Sequence, residues 1–235
     1  MDSQTIQNNL LIIKERIVQA AQKTGRRAED IQIVAVTKTF PATLVRQAYT
    51  AGLRNFGENR VQEAIPKIIA LQDCPEISWH MIGHLQSNKV RKAIENFAMI
   101  QSVDSLDLCN KIANISRALG RKVDILLEVN VSGEATKSGL PPGKVFSVVE
   151  QVAEMPELIL HGLMTIGPLT NDRDWTRRAF ANLKGIFDKI AESRINTGQF
   201  KLISMGMTDD YEIAIEEGSN MIRLGRAIFG ERRTS

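Results

Sequence analysis

The chain has 235 residues, of which 24% are charged, 43% hydrophobic and 5% aromatic, and its net charge is +3. That length is long for a simple sandwich, short for two full domains, and suited to one α/β barrel of roughly 200 to 250 residues whose core needs no disulfides. The excess of 30 Lys and Arg over 27 Asp and Glu is too small and dispersed to imply nucleic acid, and no run approaches the ~18 apolar residues of a membrane span.

The first amphipathic run places Ile6, Leu10, Ile13, Ile17 and Ala21 on one helical face, with Gly25 as its stop. The β-branched run from Ile31 to Val36 predicts the first strand, ending at Thr37-Lys38. Pro41 is placed as the first residue of a helix that ends at Gly52. Asn55-Phe56-Gly57 reads as a short second strand. The helix after Arg60 turns Val61, Ala64, Ile65, Ile68 and Ile69 inward, with a kink or restart at Pro66.

Ser78 to Ile82 is the third strand, and the fourth lies within Phe97 to Val103. Lys122 to Asn130 is the fifth, Leu158 to Ile166 the sixth, Phe200 to Met205 the seventh and Asn220 to Leu224 the eighth. Such near-continuous apolar runs suit strands covered on both faces. Helical faces intervene: Val145, Val148, Val149 and Val152, then Trp175, Ala179, Leu183, Ile186 and Ile190. Thr208 is the expected cap of a helix with Asp209 and Asp210 in its first turn and Gly218 at its close. Eight strands alternating with helices, and no linker, predict a single (β/α)₈ barrel with an extra N-terminal helix over residues 1–235. An open doubly wound sheet is the alternative, but Thr37-Lys38-Thr39-Phe40-Pro41 carries no Gly-rich phosphate loop.

In a barrel, chemistry gathers at the C-terminal ends of the strands. Polar groups there are Lys38, Glu58, Asn59, His84, Asn130, Thr165, Ser204, Thr208, Arg223 and Arg226. A lysine ending a buried apolar strand exposes a neutral amine, which forms a Schiff base with an aldehyde or ketone. The loops after strands seven and eight, where barrels commonly hold phosphate, contain Gly206 and Gly225, with Ser204, Thr208 and Arg226 beside them. Cys74 and Cys109 have neither a disulfide framework nor metal-ligand spacing and read as small hydrophobes. His80 and His84 lack a third ligand, so no metal is expected. One cofactor has both an aldehyde and a phosphate: pyridoxal 5′-phosphate (PLP).

Six motifs then carry a resemblance across nearly the whole chain. They are Val34-Ala-Val-Thr-Lys38, Asn55-Phe-Gly-Glu-Asn59-Arg-Val-Gln-Glu63, Trp79-His-Met-Ile-Gly-His-Leu-Gln-Ser-Asn-Lys89, His161-Gly-Leu-Met-Thr165, Ser204-Met-Gly-Met-Thr-Asp209 and Arg223-Leu-Gly-Arg-Ala-Ile-Phe-Gly230. In this order they resemble the pyridoxal phosphate homeostasis proteins. The resemblance implies a lone PLP-binding barrel of the alanine-racemase type. It implies that Lys38 carries the cofactor as a Schiff base and that Arg223 lies near the pyridine nitrogen, where a cation makes the ring a weaker electron sink. It implies a phosphate held against Ser204, the turn at Gly206 and the backbone of Gly225 and Arg226, with Asn59 and Met164 beside the cofactor. Thr208 stands where a serine is frequent, and Arg226 where a small or hydroxylated residue is frequent.

The expected function is PLP homeostasis without turnover, with PLP-dependent apo-enzymes as partners, in a cytoplasmic monomer. The start of the chain lacks the basic and then apolar pattern of a secretory signal. An amino-acid racemase or decarboxylase is the first alternative. It needs a second acid or base, and the only tyrosines, Tyr49 and Tyr211, both fall in predicted helices. A Schiff-base aldolase or a sugar-phosphate isomerase is the other.

Overall fold

A computed structural model describes residues 3–134, 136–193, 195 and 199–231. The remaining positions of the expected single domain lie outside the described residues. Eight parallel strands close into one barrel in sequence order: β1 (Gln32–Val36), β2 (Asn55–Glu58), β3 (Ser78–Met81), β4 (Met99–Val103), β5 (Val123–Glu128), β6 (Leu158–Met164), β7 (Leu202–Ser204) and β8 (Met221–Leu224). The barrel closes where β1 meets β8, with Val34 opposite Arg223. On its other edge β1 pairs with β2, Val34 standing opposite Asn55. Every predicted strand is present, and the predicted α/β barrel with its extra helix is the observed fold.

Helices cover the outside: α1 (Ser3–Gln22), α2 (Ala42–Thr50), α3 (Val61–Ala70), α4 (Val90–Asn96), α5 (Leu106–Leu119), α6 (Val145–Ala153), α7 (Arg173–Ala191), α8 (Tyr211–Glu216) and α9 (Arg226–Phe229). The large apolar core lies between them and the strands. Within it α1 buries Ile6, Leu10, Ile13, Ile17, Ala20 and Ala21, a stripe at helical spacing. This extra helix packs on α8 and α9, and the Asn9 side-chain amide donates to the Ile228 carbonyl at 2.9 Å.

Four local expectations are corrected. Ile69 and Trp175 are exposed, not inward. On α7 the buried positions are Thr176, Ala179, Phe180, Leu183 and Ile190, a stripe that passes Trp175 by one residue. Of the kink or restart expected at Pro66, the restart is absent: α3 is one continuous helix with Pro66 inside it. Pro41 is the capping residue of α2 rather than its first residue. Thr208 does not cap α8: the helix starts at Tyr211 with Asp210 at the cap position, and the Asp210 carboxylate accepts the Met207 N–H at 2.5 Å.

Candidate functional site at the barrel mouth

Period-two alternation sorts each strand into inward and outward positions. Inside the barrel, Val34, Met99, Leu126, Met164 and Met221 form a small apolar floor. The next inward position along each strand brings Val36, Glu128 and Arg223 above it. They line one cavity of about 290 Å³ together with Lys38, Asn59, Ile82, Gly83, His84, Asn130, Lys137 and Met207. Its size sits at the lower edge of the roughly 300–1,000 Å³ of small-molecule sites.

Lys38 occupies the turn after β1. The Phe40 N–H donates to the Thr37 carbonyl at 3.0 Å, and Thr39, between them, has φ +69°. A positive φ at the third residue is what a type II turn requires, and glycine usually supplies it. Here a threonine is held there, at a cost of about 1–3 kcal/mol that the surroundings must over-determine.

Arg223 is 4% exposed. One guanidinium nitrogen donates to the Ser204 hydroxyl at 2.7 Å and the other to the Thr165 carbonyl at 2.7 Å. Ser204 donates in turn to Gln101 Oε1 at 2.8 Å, and Gln101 Nε2 lies 2.9 Å from His80 Nδ1. His80 Nε2 is 3.2 Å from the Ser78 hydroxyl. Burial lowers His80 to about 4, so it is neutral and can accept at Nδ1 while donating at Nε2. Donation therefore runs one way through the barrel, from Arg223 to Ser78. Each polar group in this chain is buried or nearly so, and each is satisfied. Burial lowers Arg223 to about 10, with Asp210 and Glu128 pulling it back up; it remains a cation at neutral pH.

Glu128, 5% exposed, faces the same cavity. Burial pushes its carboxyl up to about 7; Asp104 adds to that, while Arg223 and His84 oppose it. His84 Nδ1 lies 3.0 Å from Asp104 Oδ2, so the two histidines of the third motif belong to separate networks. Lys137 reaches the rim from the loop after β5, donating to Glu134 Oε1 at 2.6 Å and the Gly167 carbonyl at 3.0 Å. The sequence reading missed Glu128 and Lys137. The signal for Glu128 was its place two residues after the inward Leu126 on a buried strand; ending that strand at Asn130 hid it.

The loops after β7 and β8 meet beside this cavity. The Thr208 hydroxyl accepts the Ala227 N–H at 3.3 Å, and Arg226 pairs with Asp209 and with Glu231. Gly206 has φ +95°, and a Cβ there would lie 2.5 Å from the Ala214 methyl and 2.9 Å from Tyr211 Cα. Only glycine fits this turn. At Gly225 a Cβ would meet Val36 at 3.6 Å, an ordinary contact, so the protein's own packing does not demand a glycine there.

Of the residues singled out from the sequence, Lys38, Asn59 and Arg223 share the cavity, while Gly206, Thr208, Gly225 and Arg226 build the adjoining loops. Ser204 and Met164 lie deeper. The Ser204 hydroxyl is engaged by Arg223 and Gln101, and Met164 is fully buried in the floor. Tyr49 hydrogen-bonds Glu76 on the outside of the barrel, and Tyr211 is buried in α8.

Residues 2–233 match the family model described as alanine racemase, N-terminal domain. The chain is 42% identical to the pyridoxal phosphate homeostasis protein of Pseudomonas aeruginosa, over 97% of this chain and 96% of that one. It is 40% identical to the human protein of the same name, over 95% and 85% respectively. Among solved structures it is similar to PipY of Synechococcus elongatus with PLP bound, at 37% identity and a TM-score of 0.79, covering 93% of this chain and 100% of that one. Alanine racemase of Clostridium difficile, at 16% identity and a TM-score of 0.77, covers 99% of this chain with 58% of its own, a likeness of fold alone. The chain belongs to the pyridoxal phosphate homeostasis protein family.

Proposed function

We propose that the chain binds PLP and serves its intracellular homeostasis, with the cofactor held as a Schiff base on Lys38 and its phosphate in the loops after β7 and β8. The observation that carries this reading is the shared cavity, where Lys38 and the buried Arg223 line one space sized for a small ligand. When bound, PLP supplies an aldehyde and an electron-withdrawing ring. The Lys38 amine condenses with that aldehyde and water leaves. Arg223, held by Ser204 and Thr165, presents a fixed cation to the ring nitrogen and disfavours its protonation. Asn59 flanks the ring, and Gly206, Thr208 and the backbone of Gly225 and Arg226 form the phosphate cup. Ser204 serves the cofactor through Arg223, and Met164 through the floor. The relatives named for PLP homeostasis support that role, and the proposal extends it to a carrier without turnover that supplies apo-enzymes. The proposal places this carrier in the cytoplasm and as a monomer.

The test is the spectrum of the protein mixed with PLP, then borohydride reduction and peptide mapping. A Schiff-base band lost in Lys38→Ala, and a reduced adduct on Lys38, is the expected result. A band unchanged in Lys38→Ala overturns the reading. One observation favours an amino-acid racemase or decarboxylase instead: the Glu128 carboxyl lines the same cavity as Lys38, and burial pushes it up to about 7, the range of a general acid or base. Turnover of an amino acid that is lost in both Lys38→Ala and Glu128→Gln would establish that second reading.

A further inference from the structure

Among the described ion pairs, Lys67 with Glu58 is the deepest. Their side chains are 11% and 0% exposed, and Lys67 Nζ lies 2.6 Å from Glu58 Oε1. Such a pair seldom stabilises a fold once desolvation is counted, so its use lies elsewhere. Lys67 extends from α3 across the end of β2. Its ammonium also donates to the Thr37 carbonyl at 2.7 Å. The Thr37 hydroxyl donates to the same Glu58 Oε1 at 2.6 Å, and the Thr37 N–H to the Gly57 carbonyl at 3.0 Å. Thr37 is thus held at its N–H, hydroxyl and carbonyl. It is the first residue of the turn that contains Lys38 and the left-handed Thr39. Glu58 Oε2 is buried without a partner among the described residues, so the carboxylate's contacts are spent on this one turn.

We infer that Glu58 and Lys67 are positioning residues for Lys38: their buried pair pins the carbonyl and hydroxyl of Thr37 and so holds the strained turn that presents the Lys38 amine to the cavity. This rests on the reading of Lys38 as the cofactor's lysine. Neither residue lines the cavity itself. Without the ammonium, the Thr37 carbonyl loses its fixed direction and Thr39 relaxes from positive φ, swinging the Lys38 stem.

The test measures the rate at which the Schiff-base band appears when the apo-protein is mixed with saturating PLP. Affinity for pyridoxine 5′-phosphate, which has no aldehyde, is measured in parallel. Lys67→Met is expected to slow the band by about 10- to 100-fold, the scale of a misplaced reacting group. Its affinity for pyridoxine 5′-phosphate stays within about threefold of wild type, because the phosphate cup is untouched. Lys67→Arg restores the rate. Thr39→Gly adopts positive φ without strain, so in that background Lys67→Met slows the band far less. If Lys67→Met does not fold, Thr37→Val removes the hydroxyl bond alone, and a slowed band in that variant carries the same conclusion. A folded Lys67→Met, or Thr37→Val in its place, with wild-type rate overturns the inference, as does an equal loss of pyridoxine 5′-phosphate affinity. A wild-type adduct mapped to another lysine refutes the Lys38 reading itself, whatever the variants do.

Discussion

Glu128→Gln isolates the charge of one buried carboxylate at the cavity wall. The wild-type carboxyl moves from 4.5 to about 7 on folding, chiefly by burial. That is about two and a half units, and at about 1.4 kcal/mol per unit it amounts to about 3 kcal/mol. The sign follows from which form the fold prefers. Below the unfolded value of 4.5 the carboxyl is neutral in both states and costs nothing. Above about 7 it is charged in both, and the folded state carries the whole desolvation penalty. Stability contributed at this position is therefore present in acid and is lost as pH rises through the window from 4.5 to 7. The charged groups facing it are Asp104, which sharpens the penalty, and Arg223 and His84, which relieve it; Lys38 and Lys137 line the same cavity. Glutamine keeps the shape and removes the titration. Urea unfolding of both apo-proteins at pH 5 and pH 8 measures the difference. The variant is expected to exceed wild type by less than about 1 kcal/mol at pH 5 and by about 3 kcal/mol at pH 8, with an unchanged slope against urea. Profiles that stay parallel across this range would refute the argument that Glu128 is buried without sufficient compensation.

Two further substitutions test the turn at Gly206 and the buried polar chain through Ser204. Gly206→Ala forces a Cβ to 2.5 Å from the Ala214 methyl at a φ of +95°, so urea unfolding should show a loss of at least about 2 kcal/mol, accompanied by weaker binding of inorganic phosphate. Ser204→Ala leaves Gln101 Oε1 and one Arg223 nitrogen without their partner in the barrel interior; thermal or urea unfolding should record a loss of about 1–3 kcal/mol.

The barrel was legible because its strands are buried on both faces and therefore read as apolar runs between turn residues. Boundaries were less so where several residues share one chemistry. Thr208, Asp209 and Asp210 can each cap a helix; Thr208 instead accepts the Ala227 N–H, and Asp210 stands at the cap position with its carboxylate turned back to the Met207 N–H. Ile69 and Trp175 fit the helical period but stand at the edge of their stripes, so the curvature of the barrel leaves them in solvent.

Depth was the part hardest to read. A strand's alternation says which side chains point inward, but their height in the barrel depends on the stagger between strands. Val34 is opposite Arg223 on one edge and Asn55 on the other, and no local pattern encodes that pairing. Hence Ser204 and Arg223, both at strand ends, lie at different levels: one lines the cavity and the other supports it. Gln101 and His80 were invisible as participants for the same reason, since each is polar on a buried strand and finds its partner only across the barrel. That arrangement also explains why Arg223 can be a fixed cation at all. A guanidinium 4% exposed at the cavity wall is tolerable only if its donors are directed and satisfied, and Ser204 on the adjacent β7 and Thr165 just past the end of β6 satisfy two of them. The polar chain below it makes Ser204 an acceptor toward Arg223 by giving its own proton to Gln101.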